Sequence, residues 1–213
     1  MTKDMARQAK DMAKQAKQAR ADQNDLIGAM AVGALAIGAL VWDAAQRLLE
    51  LFSTASAVTV TTRIPAQAIT AAIGDGAAAT SDMATLVVEG VNTVSVVSLV
   101  LAIVLRAACL VAVAVVAVIV CHRLLRGIVF NQTNARLTFA VSMLLLAAGL
   151  VGLWFESLGL NGVFAALGGD FGDDRWLLLR DGIPLFVAAI AVGVLVIVFR
   201  RGARLEKETE GLV

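Results

Sequence analysis

Four apolar runs dominate this chain of 213 residues, and each is long enough to cross a lipid bilayer. They are Leu26 to Trp42, Val97 to Cys121, Leu137 to Phe155 and Ile183 to Phe199. Three carry no charged residue, and the second carries only Arg106. A helical crossing needs about 20 mostly apolar residues, with roughly 17 as the lower bound. Lipid offers no partner to a bare N–H or C=O, so runs of this kind fold as helices whose backbone bonds are all internal. The chain is 59% hydrophobic, and short connections leave no room for a separate soluble enzyme domain. The expected fold class is an all-α integral membrane protein. It is a four-transmembrane-helix bundle with a small extracytoplasmic element.

The domain reading follows. Residues 1–25 form a basic cytoplasmic N-terminal helix, and residues 26–200 form the membrane domain. Its spans lie at about 26–45, 97–121, 137–156 and 183–200, and residues 201–213 form a cytoplasmic tail. Charge sets the orientation. With both termini inside, thirteen Lys and Arg fall on the inner side and only Arg47, Arg63, Arg175 and Arg180 on the outer side. Lys and Arg excess near span ends marks the cytoplasmic face, so the expectation is N-in, C-in. The first 25 residues are too polar, and no cleavage site follows, for a secretory signal peptide; the first span should stay as an anchor.

The N-terminal segment repeats with a period of seven. Lys3-Asp4-Met5-Ala6-Arg7-Gln8-Ala9 is followed by Lys10-Asp11-Met12-Ala13-Lys14-Gln15-Ala16. This places Met5, Ala9, Met12, Ala16 and Ala19 on one seam. Two such heptads fall short of a coiled-coil signal. A solvated juxtamembrane helix, or one resting on anionic inner-leaflet lipid, is the expectation. In the first span, Ala29 and Gly33, and Ala34 and Gly38, are spaced for close helix approach, within the chain or in a homo-oligomer.

The outer region 53–93 contains the alternating, β-branched run Ala57 to Thr62, which predicts a short strand. Pro65 suits the first turn of a short helix. From Ser81 or Asp82 the chain is expected to resume as helix into the second span. Arg175 to Arg180 reads as a second short strand paired with residues 57–62. Asp181 and Pro184 suit the start of the fourth helix, and Thr133 or Asn134 suits the N-cap of the third.

Arg106 is the one charge inside a span. An arginine at a helix centre costs about 2.5–3.5 kcal/mol on insertion scales, so it must snorkel or find an acid. Asp43 and Glu156, both near the outer boundary, are the candidate partners in an intramembrane ion pair. The competing reading is an anion or lipid-headgroup site. None of the four apolar runs holds Asp, Glu or His, the residues proton-coupled transport usually needs. His122 is the single histidine, and neither Ser98 nor Ser142 shares its depth, so a nucleophile–base pair is not expected. Cys109 and Cys121 are twelve residues apart on one helix, about 18 Å of rise, and cannot form a disulfide. With one His and two separated Cys there is no zinc set, and Asp170, Asp173 and Asp174 lack Ca²⁺-loop spacing. No metal and no cofactor is expected. The basic residues hug the membrane without interleaved aromatics, which argues against nucleic acid.

The C-terminal half carries a resemblance. Gly127 and Phe130-Asn131-Gln132-Thr133-Asn134-Ala135-Arg136-Leu137 precede the last two spans. The end reads Phe199-Arg200-Arg201-Gly202-Ala203-Arg204-Leu205, closing on Glu210-Gly211-Leu212-Val213. Residues 100–213 resemble an uncharacterised bacterial membrane family, the domain of unknown function 2975. Its members typically show a Gly-x-Phe-x-x-x-Asn loop and an Arg-x-Gly-x-x-Leu tail. The resemblance implies a bacterial inner membrane protein with four spans, and a regulatory role, since members are often encoded beside small helix-turn-helix regulators. It supplies no catalytic residue. The functional expectation is a non-catalytic regulator or interaction partner of a cytoplasmic protein, a larger membrane complex or anionic lipid. Asn131, Asn134, Arg136, Arg200, Arg201 and Arg204 are its contact candidates. A small oligomeric transporter or channel is the alternative.

Overall fold

The computed structural model describes residues 2–54, 56–70, 78–128, 131–169 and 175–210. Four helices are long and apolar enough to cross a membrane. They are α1 (Thr2–Leu51), α2 (Thr93–Leu125), α3 (Gln132–Ala166) and α4 (Arg175–Glu210). Large apolar side chains stand exposed on all four, for example Leu35, Ile119, Leu150 and Ile190. Exposed apolar surface on every helix is what hydrocarbon solvation requires and water penalises. The chain is a multi-pass membrane protein in this sense.

The first helix is longer than the sequence reading made it. The basic segment and the first span form one unbroken α1 of 50 residues. Residues 2–25 alone add about 36 Å at 1.5 Å per residue. The side chains of the heptad seam lie outside the described residues. In the span itself, Met30, Gly33, Ile37, Leu40, Ala44, Leu48 and Leu51 recur at three- and four-residue steps and form the covered stripe. Gly33 sits against α2, where a Cβ would come within 2.6 Å of Val118. No atom stands within 4 Å of a Cβ at Gly38, so of the two small-residue pairs the Gly33 face packs within the chain.

The helices pack in chain order, α1 on α2, α2 on α3 and α3 on α4, with no extended seam among the described residues between α1 and either α3 or α4. Glycine makes the α2–α3 seam close. Cβ atoms at Gly159 and Gly162 of α3 would run into Leu99 and Ser95 of α2. The α3–α4 seam holds Gly149 under the ring of Phe186. It also contains a buried bond in which the Ser142 hydroxyl donates to the Ala189 carbonyl at 2.8 Å.

The outer element is a two-stranded antiparallel hairpin, β1 (Ala57–Thr70) with β2 (Ala78–Glu89). The predicted strand at 57–62 is present, but its partner is not 175–180. Those residues are the first turns of α4, which begins at Arg175 and runs through Pro184 rather than starting there. Nor does Pro65 open a helix, or the chain become helical at Ser81. Pro65 lies where the ladder is interrupted, between Arg63 paired with Met83 and Gln67 paired with Ser81. A residue without an N–H is tolerated at such a break. Beyond it the pleat is regular. Val58, Val60, Leu86 and Val88 face the helices and join Leu51, Leu99 and Val163 in a core cluster. The Thr61 and Thr85 hydroxyls meet across the strands at 3.0 Å.

Caps fix the helix ends. Asn92 accepts the Ser95 N–H at the start of α2, and Asn131, not Thr133 or Asn134, caps α3 by accepting the Thr133 N–H. Helix α2 ends with Gly127 at φ 75°, its N–H bonded to Leu124 O and that of Ile128 to Arg123 O. This pattern of a left-handed residue just past the helix favours glycine because it has no Cβ.

Candidate functional site

The hairpin end of the molecule holds a cavity of about 550 Å³. Helix α2 forms its wall with Leu99, Ala102, Ile103, Arg106, Ala107 and Leu110; the last turns of α1 contribute Leu40, Asp43, Arg47 and Glu50. Thr59 to Arg63 of β1 line it too, and Glu156 of α3 with Leu178 and Asp181 of α4 complete it. It occupies the space left because, among the described residues, α1 packs along α2 and makes no comparable seam with α3 or α4. Toward the hairpin Arg47, Glu50 and Glu156 stand among Leu99 and Ile103, and beyond Arg106, away from the hairpin, the lining is Leu110 and Leu40.

Arg106 pairs with Glu156, its Nη1 donating to Oε2 at 3.4 Å. That distance is long for a charge-assisted contact, which normally spans about 2.7–2.9 Å. Asp43, the other expected partner, is instead bonded at 2.8 Å to Arg47, one turn along α1. Asp43 and Glu156 are both near the correct depth, but only Glu156 lies on a helix that packs tightly against α2 beside Arg106. Gly152 opens the space. A Cβ there would lie 3.2 Å from the Arg106 Cζ and Nε. Trp154, two residues farther along α3, and Trp42 on α1 are both more than two-thirds exposed. From the neighbours Gly33–Val118 and Gly152–Arg106, Arg106 stands within about one helical turn of both tryptophans. Tryptophan favours the headgroup level, so the ion pair belongs there rather than at a bilayer centre.

A second cluster was not foreseen. Arg63 of β1 donates through Nε to both carboxylate oxygens of Asp181, at 2.8 and 2.9 Å, and through Nη1 to Asp82 of β2 at 2.8 Å. One guanidinium thus fastens both strands to the start of α4. The hydrogen bond and charge of Asp181, then Asp82, hold the Arg63 guanidinium above its ordinary value. The signal in the sequence was scarcity: Arg63 is one of only four arginines on an acid-rich side.

At the opposite end lie the chain termini and the α2–α3 connection. Asn134 is wholly buried there. Its Oδ1 accepts from Arg123 Nε and its Nδ2 donates to Ile128 O, both at 2.7 Å. It is an internal brace of the loop, with no exposed surface. Asn131 is an exposed cap, while Arg136, Arg200, Arg201 and Arg204 are exposed. Phe130 and the end of the tail lie outside the described residues, as do Asp170, Asp173 and Asp174. His122 is exposed at this end; the Ser98 hydroxyl donates to Val94 O and that of Ser142 to Ala189 O. Cys109 and Cys121 are free thiols on α2. Among the described residues no group of His, Cys, Asp and Glu is arranged to hold a metal ion.

No protein-family model, curated protein or solved structure matches this chain.

Proposed function

We propose that the protein is a non-catalytic regulator or scaffold of the bacterial inner membrane, with both termini cytoplasmic. It would bind a cytoplasmic protein or a larger membrane complex through its basic face. The supporting observation is that α1 and α4 continue as unbroken helices well past their apolar spans at the same end, α1 from Thr2 and α4 to Glu210. Such arms add nothing to the helix seams within the membrane. The α4 arm carries Arg200, Arg201 and Arg204, and Arg136 is exposed at the same end on α3, where anionic lipid adds about 1 kcal/mol per cation. The resemblance of residues 100–213 to the domain of unknown function 2975 points the same way.

The test is cross-linking in native membranes followed by mild-detergent isolation. A stoichiometric partner lost on combined Arg200→Gln, Arg201→Gln and Arg204→Gln, with protease mapping showing unchanged orientation, is the expected result. Specific solute flux through liposomes holding the purified protein, with no partner captured, would overturn the reading in favour of a transporter or channel.

A further inference from the structure

We propose that the cavity at the hairpin end is a binding site for one phospholipid with a zwitterionic amino headgroup, taken from the leaflet on that side. The phosphate is held by Arg106 and Arg47, the ammonium by Glu50 and Glu156 one turn nearer the hairpin, and an acyl chain lies along Leu110 and Leu40 on the side away from it.

Three observations carry this. First, the cavity fills the gap between α1 and the α3–α4 pair, because neither joins α1 along a seam. Its wall on α2 is apolar apart from Arg106, and a gap between unjoined membrane helices opens sideways into lipid. Second, it stands at the level of Trp42 and Trp154, where phosphate and amine groups of lipid reside. Third, its charges are under-used. Arg106 has five N–H donors, and among the described residues its one hydrogen-bonded partner is Glu156, at 3.4 Å. Among the described residues the bonded partner of Arg47 is Asp43, in a pair whose side chains are more than half exposed. An exposed pair of this kind is weak and yields readily to a stronger acceptor. Glu50 lines the same cavity and is exposed. From the hairpin inward, Glu50 and Glu156, then Arg47 and Arg106, then Leu110 and Leu40 complement an ammonium, a phosphate and a hydrocarbon chain in that order. A purely anionic lipid would meet Glu50 and Glu156 with no opposite charge.

The experiment is native mass spectrometry of the full-length protein in delipidated micelles, titrated with palmitoyl-oleoyl phosphatidylethanolamine. The matching phosphatidylglycerol, the matching diacylglycerol and inorganic phosphate are run as separate arms. One molecule of phosphatidylethanolamine should bind in preference to all three. Arg106→Gln should weaken it about tenfold or more, the equivalent of one charge-assisted bond. Ala107→Phe keeps the ion pair but fills the cavity, and it should abolish the bound species while the protein stays folded. Equal retention of diacylglycerol or of phosphatidylglycerol, displacement by inorganic phosphate, or undiminished binding to Ala107→Phe would each overturn the proposal.

Discussion

Replacing Gly162 by alanine adds one methyl group at the tightest point of the α2–α3 seam. The new Cβ would overlap the Ser95 hydroxyl and lie 2.5 Å from the Ser95 Cβ, an atom fixed to its own backbone, and 3.1 Å from the Asn92 amide nitrogen. Ser95 is buried and cannot swing aside. The helices must separate, or the α2 cap must open. Overpacking of this sort costs about 1–3 kcal/mol, and disturbing an Asn cap adds about 1. Alanine returns about 1 kcal/mol through its better helix propensity. The net loss is roughly 1–3 kcal/mol, which for a chain of this size lowers Tm by about 3–9 °C. Thermal unfolding in detergent measures it, with Gly38→Ala as control, because a Cβ at Gly38 meets nothing within 4 Å. A cycle with Ser95→Gly identifies the cause. The double variant should be less destabilised than the two single losses added together, by about 1 kcal/mol or more. If Gly162→Ala melts with the wild type, or if the two changes simply add, the close approach of α2 and α3 is not what holds this end together.

Other perturbations separate the remaining contacts. Arg106→Leu strands the Glu156 carboxylate; after allowance for its partial exposure, about 1–2 kcal/mol is expected to be lost. Arg106→Leu with Glu156→Leu should recover most of it in the same melt. Asn134→Ala leaves the Ile128 carbonyl and one Arg123 donor without the partner seen here. It should cost about 1–3 kcal/mol and raise hydrogen exchange selectively in residues 124–138. Arg63→Gln unfastens the hairpin from α4, so exchange should rise across 57–63 and 82–89 while α2 from Ala102 to Leu125 stays protected. Unchanged exchange across the strands in that variant would show that the apolar base of the hairpin suffices.

The spans were legible because lipid imposes a pattern on each helix separately: length and absence of charge suffice, whatever the neighbours. The hairpin was legible only at Ala57 to Thr62, where threonine and valine alternate. Its second half contains Pro65 and several alanines, and β2 contains Ser81 and Asp82, all of which look like turn or helix. Pairing across the strands decided the matter, and pairing is non-local. Trp176-Leu177-Leu178-Leu179 was ambiguous for another reason. A short apolar run fits either period, and continuity with α4 resolved it. For Arg106 the depth of its partner was readable, but the face was not: Asp43 and Glu156 both lie on helices packed beside α2, and no spacing encodes which acid turns toward Arg106. Asn134 looked like a surface polar residue because nothing local reveals that Arg123 and Ile128 fold over it.

The serial arrangement of the helices bears on how the molecule is made. Each span leans chiefly on the one translated just before it, so a nascent chain can seat every helix as it leaves the ribosome without waiting for a later segment. The first helix then keeps one flank uncommitted for the life of the protein, and removing the last helix should leave the preceding two still locked together.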